Sequence, residues 1–208
     1  MKAKDYRKAA WNNLAGKRGI FALIVLIMGI IMGVAGTLGG IGSLVLSGPF
    51  ALGFSGCCLL CARGGQIKVE DLFDGFKSFL KSFLLNLVNG IFIALWSLLL
   101  IVPGIIAALN YSMSFYILRD DPEIGANDAR KKSIEMMRGR KWQLFCLKFS
   151  FIGWWLLCIL TFGILVFWVV PHAKVAEAEF YENLKKAGPI ESVDSIDPVE
   201  PDKIGFRN

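Results

Sequence analysis

Three stretches without a single Asp, Glu, Lys or Arg, residues 19–62, 82–118 and 149–171, constrain this chain more than any motif in it. A helical membrane span needs about 20 consecutive apolar residues. The first two stretches are each long enough for two such spans joined by a tight turn. The third reaches that length only if its helices borrow residues across Lys148 and Lys174, whose long stems carry their charge toward the interface. Composition agrees, since 55% of the residues are hydrophobic and 19% charged, more apolar side chain than a soluble core of this size uses. The lead-in over 1–18 is long and contains Asp5 and Trp11, and the apolar run continues past any cleavage position. It reads as retained, not as a signal peptide.

Between these stretches the chain reads as short amphipathic helices. Tyr6, Ala10, Trp11 and Leu14 fall at helical spacing among Lys4, Arg7, Lys8 and Lys17, the pattern of a helix on an anionic membrane surface and equally of a solvated lead-in. The first hairpin has Gly29 and Gly33 at the small-residue spacing that lets helices approach, a glycine-rich turn over 36–43, and Pro49 in its return arm. In residues 68–82, Leu72, Phe73, Phe76, Phe79 and Leu80 share one face, while Glu70 and Asp71 occupy the first turn, where the helix dipole favours acids. The second hairpin turns at Val102-Pro103-Gly104, because the residue before a proline is pushed out of the helical region. Asp120-Asp121-Pro122 then breaks the chain, and Gly125 or Asn127 caps a basic helix carrying Arg130, Lys131, Lys132, Arg138, Arg140 and Lys141. The third hairpin turns near 161–163 and exits through Pro171 into a charged segment.

Laid on one another, the three units repeat. Gly16, Gly75 and Gly139 each sit in a basic or aromatic setting where a unit meets the membrane. Pro49, Pro103 and Pro171 follow them by 33, 28 and 32 residues, each in the second half of a hairpin. The expected fold is an all-α membrane protein: six transmembrane helices as three helical hairpins, each preceded by a cytoplasmic amphipathic helix, in a threefold internal repeat. One membrane domain is expected over 1–187, with hairpins at about 19–63, 79–119 and 142–184. The Pro- and acid-rich remainder, 188–208, reads as a disordered cytoplasmic tail. Lys and Arg crowd the N-terminus and the linkers while the hairpin turns have none, so both ends are expected in the cytoplasm and the protein in the plasma membrane. The tail carries five acids against Lys203 and Arg207, a net of −3, and the whole chain is +6, which leaves +9 on 1–187. That charge suits anionic membrane lipid as a partner and not nucleic acid, because the basic residues hug the span ends.

Chemistry is marked by absences. The charge-free stretches hold no carboxylate and no histidine, so a proton-coupled carrier or a metal or aspartyl intramembrane protease lacks its usual parts. The single histidine, His172, follows Pro171 and reads as an interfacial hydrogen-bonding residue. Cys57, Cys58 and Cys61 lack the further ligands that zinc needs and read as reduced thiols packed like small apolar groups. No catalytic residue, metal or cofactor is expected. Asn86 and Asn89 share a helix face, and Asn110, Tyr111 and Ser112 lie in the return arm of the same hairpin. They read as interhelical hydrogen bonds, worth about 0.6–2 kcal/mol each, or as a polar path or lipid-headgroup pocket.

The runs YSMSFYILRDDPEI at 111–124, SIEMMRGRKWQLFCLKFSFIGWWLLCILTFGI at 133–164, FWVVP at 167–171 and AEFYENL at 178–184 resemble the family called domain of unknown function 975, integral membrane proteins found mainly in Gram-positive bacteria. Two departures are visible. Ile164-Leu165 stand where the family usually has a second Gly, and His172 stands where it has a Tyr. The resemblance implies the membrane topology and a bacterial source, and it implies no activity. The functional expectation is a non-enzymatic plasma-membrane protein that binds lipid or partner proteins through its basic cytoplasmic helices, as a homo-oligomer or with a membrane partner, in envelope stress or peptide tolerance. The alternative is an oligomeric small-solute channel or carrier with a path lined by Asn86, Asn89 and Asn110. An enzyme acting on lipid comes third, for want of a catalytic constellation.

Overall fold

Apolar runs alternating with short charged linkers give a chain of helices. The computed structural model describes residues 3–37, 41–161, 163 and 165–187, and every regular element among them is helical. In order these are α1 (Ala3–Asn13), α2 (Arg18–Thr37), α3 (Ile41–Ala62), α4 (Glu70–Phe73) running on into a 3₁₀ segment (Asp74–Ser78), α5 (Phe79–Leu99), α6 (Ile101–Tyr111), α7 (Ser114–Asp120), α8 (Ala126–Met136), α9 (Lys141–Phe149), α10 (Ile152–Leu160) and α11 (Val166–Ala187).

Helix α3 is the axis. Two-thirds of its apolar span (67%) is buried, against 22% for α2 and 17% for the segment 70–99, so α2 and α5 form the outer wall and α3 the interior. Small residues make that possible. At Gly53 an added methyl would overlap the Leu72 carbonyl oxygen, and at Gly75 it would overlap that of Pro49, so α4 and the 3₁₀ segment lie directly on the α3 backbone. Cys57, Cys58 and Cys61 are buried free thiols on the same helix, and Cys61 Sγ lies 3.3 Å from the Asn13 carbonyl oxygen. Where the surroundings are apolar, close packing and interhelical hydrogen bonds hold helices together in place of hydrophobic transfer. Conversely, Leu23, Ile30 and Val34 of α2, Leu95 and Leu98 of α5, and Leu156 and Leu160 of α10 point outward.

Three helices are long and apolar enough to cross a membrane: Arg18–Thr37, Gly42–Ala62 and Glu70–Leu99. The remaining arms of the predicted six are interrupted or mixed. The α6–α7 arm breaks at Ser112-Met113, the α9–α10 arm breaks at Ser150-Phe151, and the second half of α11 is charged.

Local differences from the sequence reading have physical causes. The second hairpin turns at Leu100, which is extended (φ −160°, ψ 140°), and Pro103 sits in the first turn of α6. A proline is tolerated there because its missing N–H would have no helical partner. The predicted basic helix ends at Met136, and Gly139 at φ 71° turns the chain into α9, so Arg138 and Arg140 lie in the turn and Lys141 opens the next helix. Gly16 at φ 80° makes the corresponding turn between α1 and α2, whereas Gly75 has no such conformation. Among the described residues, a methyl at Gly29 or Gly33 would meet nothing within 4 Å. Part of the predicted 36–43 turn, part of the 161–163 turn and the predicted disordered tail 188–208 lie outside the described residues.

Of the face that spacing places at a membrane surface or in solvent, Tyr6, Ala10 and Leu14 are instead buried, and Trp11 stays 45% exposed. Tyr6 packs edge-on to Phe180 of α11 at 5.3 Å, and Asn13 bonds Glu179. His172 Nε2 lies 3.0 Å from the Arg7 carbonyl oxygen, so that nitrogen carries the hydrogen. Rings of Trp11, Phe151 and Trp154 stand edge-on around this imidazole.

A second junction joins α3, α7 and α11. Asp120 Oδ2 accepts from Lys185 at 2.7 Å and from the Tyr181 hydroxyl at 3.0 Å, Asp120 Oδ1 accepts from Arg63 at 2.8 Å, and Arg63 also reaches Glu182 at 2.7 Å. It lies just beyond the charge-free stretch that ends at Leu118. Burial pushes the Asp120 carboxyl up, but the hydrogen bonds from Lys185 and Arg63 outweigh it and hold it below the usual carboxylate range.

Candidate functional site

Polar side chains from both arms of the second hairpin meet charged ones from the third at a cleft of about 490 Å³. Helix α5 supplies Asn86 and Asn89, a pair three residues apart and therefore on one face. Tyr111 at the end of α6 and Ser112 in the break after it form the opposite side. Asn86 Nδ2 donates to Ser47 Oγ at 2.6 Å and ties α5 to α3, while Ser112 Oγ donates back to the Leu109 carbonyl oxygen at 2.7 Å. Asn89 is 6% exposed, and its Oδ1 has no hydrogen-bond partner.

The floor of the cleft is ionic. Glu177 of α11, buried, lies 2.9 Å from Lys174 Nζ one turn away and 3.2 Å from Lys148 Nζ of α9. A buried carboxylate is costly unless paired, and two ammonium groups satisfy it here. Tyr116 donates to the Lys174 carbonyl oxygen at 3.2 Å and fixes α7 beside this group. The same three charged residues line a second cavity of about 300 Å³, with Leu147, Phe151, Val170 and Ala173.

The sequence-selected polar set is thus mostly brought together. Asn86, Asn89, Tyr111 and Ser112 share the cleft; Asn110 does not line it, and its carbonyl oxygen accepts from Ser133 at 2.6 Å. Lys148, Lys174 and Glu177 are what sequence reasoning missed as a site. The available signal was Lys174 and Glu177 at i, i+3 in the run KVAEAEF, where only Glu179 is also charged. Their meeting with Lys148 depends on how α9 folds back on α11.

The basic surface is split. Lys131, Lys132 and Arg138 are exposed, and Arg140 and Lys141 are half-buried. Arg130 departs from the surface reading: its guanidinium carbon lies 4.3 Å over the Phe92 ring and 5.7 Å from that of Tyr111, so the side chain turns inward along α5. Beside the exposed cations runs an aromatic row on α9, with Trp142 72% exposed and stacked on Phe145 at 5.3 Å, and Phe149 stacked next at 6.0 Å.

Of the prolines, Pro49 lies within α3 and Pro171 within α11. No curated protein and no solved structure matches the chain. A protein-family model described as "Protein of unknown function (DUF975)" matches residues 1–108 and 98–188. The chain belongs to the DUF975 family of proteins of unknown function.

Proposed function

We propose that this is a multi-pass plasma-membrane protein without an enzymatic step of its own, whose cytoplasmic face binds anionic lipid or a partner protein through the basic residues around α8 and α9. Both termini and the linkers are cytoplasmic, and the six arms α2, α3, α5, α6–α7, α9–α10 and α11 form three hairpins, each led by a short helix. The repeated order of one short helix and two long arms supports the threefold reading, as do the left-handed glycines Gly16 and Gly139 at corresponding turns. Envelope stress or peptide tolerance is the setting this surface fits, since both change the charge a membrane presents.

The observation that carries the reading is the exposed set Lys131, Lys132 and Arg138 beside the exposed Trp142. Basic side chains near an anionic surface are worth about 1 kcal/mol each, and tryptophan favours the headgroup level. The full chain in nanodiscs of mixed anionic and zwitterionic lipid is expected to enrich anionic lipid around itself at low salt. The K131Q/K132Q/R138Q variant should lose most of that enrichment, in steps of about 1 kcal/mol per residue. Unchanged enrichment in the triple variant would overturn the surface reading.

A second reading, an oligomeric small-solute channel or carrier, is favoured by one observation: two cavities meet at the Lys148–Glu177–Lys174 group, with Asn86 and Asn89 in one of them. It requires solute flux through reconstituted protein that falls in N86A/N89A at equal reconstitution. Equal flux in protein-free vesicles would end it.

A further inference from the structure

We infer that the cleft holds the headgroup of an anionic phosphodiester lipid, its phosphate on Lys148 and Lys174 and a headgroup hydroxyl beside Asn89. This rests on the membrane reading above, because the lipid must reach the cleft sideways from a bilayer.

Charge is the first argument. The charged residues lining the cleft are Lys148, Lys174 and Glu177, a net of +1. Glu177 engages each ammonium group once, and each ammonium has three N–H donors, so both lysines keep donors for a ligand. A phosphate diester carries one negative charge and balances the site, whereas a neutral headgroup leaves +1 uncompensated in a partly dry cleft.

The second argument is the unmet acceptor. A buried acceptor without a donor is destabilising, and such groups in native proteins call for an explanation. Asn89 lines an open cleft of about 490 Å³, within the range of about 300–1,000 Å³ typical of small-ligand sites, while its Oδ1 is buried in the cleft wall without a partner. A rotation of the Asn89 amide that brings Oδ1 to the cleft surface lets a ligand hydroxyl supply the missing donor.

The third argument separates a lipid from a free phosphate. Ile91 and Leu44 at the rim are 57% and 50% exposed, on the surface where α5 also shows Leu95 and Leu98. The cleft therefore opens onto an apolar wall, which suits acyl chains and not a soluble anion. Gly90 faces the same space, and a methyl there would meet nothing within 4 Å. A large side chain at that position takes up space in the cleft and removes no charged residue.

The test uses the full-length protein in detergent, with bound lipid counted by native mass spectrometry. Phosphatidylglycerol, diacylglycerol and soluble glycerol phosphate are added separately. One phosphatidylglycerol per chain is expected, and it should persist at about 1 M salt, where the Debye length is about 3 Å and surface-bound lipid is released. K148Q/K174Q is expected to bind it about tenfold more weakly or worse, G90F to lose it, and N89L to weaken it. Diacylglycerol and glycerol phosphate are each expected to bind far less well. Retention of the lipid in G90F, or equal affinity for diacylglycerol, would overturn the proposal. Tight glycerol phosphate binding would overturn it in favour of a soluble anion. Should the double lysine variant fail to fold, G90F still decides. The K131Q/K132Q/R138Q variant is expected to keep this one lipid, so the cleft and the surface reading can fail independently.

Discussion

An alanine at Gly75 has nowhere to put its methyl group, which would overlap the Pro49 carbonyl oxygen and lie 2.7 Å from the Gly53 nitrogen. Both obstacles are backbone of a buried helix and cannot swing aside. Gly75→Ala is therefore expected to destabilise the fold by about 1–3 kcal/mol, the usual size of an overpacking penalty. Gly33→Ala, facing open space, should be neutral or slightly stabilising. Thermal unfolding of the two variants in the same detergent checks the contrast, and equal melting temperatures would contradict it. The pair also shows what spacing conveys about single residues. Gly29 and Gly33 have the three-residue gap associated with close helix approach, yet among the described residues nothing lies within 4 Å of a methyl at either. Gly53 and Gly75 meet across 22 positions of sequence, a relation no local pattern encodes. Arg130 is a further case, since its place in a basic run conceals that its guanidinium lies over an α5 aromatic ring.

At the scale of elements, the junction of α3, α7 and α11 depends on ionised Asp120. Its folded-state carboxyl lies below the ordinary value, so it contributes stability above the unfolded value of about 3.9 and loses that contribution as pH falls through the folded value. The purified protein is expected to melt at progressively lower temperature below about pH 4. Asp120→Asn should cost about 1.5–3 kcal/mol at neutral pH, as for a hydrogen bond to a charged group, and show a flatter acid limb. An acid limb identical to that of the parent would remove Asp120 from the account. Helix positions themselves are largely readable in the amino-acid order, because charge-free runs bounded by Gly, Pro and clustered charge mark where helices start and stop. Breaks inside the arms are not. Ser112-Met113 and Ser150-Phe151 carry no proline or glycine; at the first Ser112 Oγ donates to the Leu109 carbonyl oxygen, and at the second Ser150 Oγ accepts from Arg7 at 2.6 Å.

For the molecule as a whole, the sequence conveys an all-helical chain with long apolar segments, and it conveys half of the candidate site. The amides are visible as polar letters in apolar text. Lys148, Lys174 and Glu177 are camouflaged because each falls at the edge of a charge-free stretch, where a charged side chain is ordinary. Only the folding of α9 against α11 converts three edge residues into the floor of a cleft. Function is less legible still, since family membership here brings no activity with it.

The docking of α1 on α11 sets an order of events during synthesis. Tyr6 meets Phe180, the Arg7 carbonyl meets His172, and Asn13 meets Glu179. A ribosome adding about 5–20 residues per second finishes α11 roughly ten to thirty-five seconds after α1. Throughout that interval Tyr6 lacks Phe180, the Arg7 carbonyl lacks His172 and Asn13 lacks Glu179. Helix α1 therefore completes its seating only when α11, a segment made much later, reaches it.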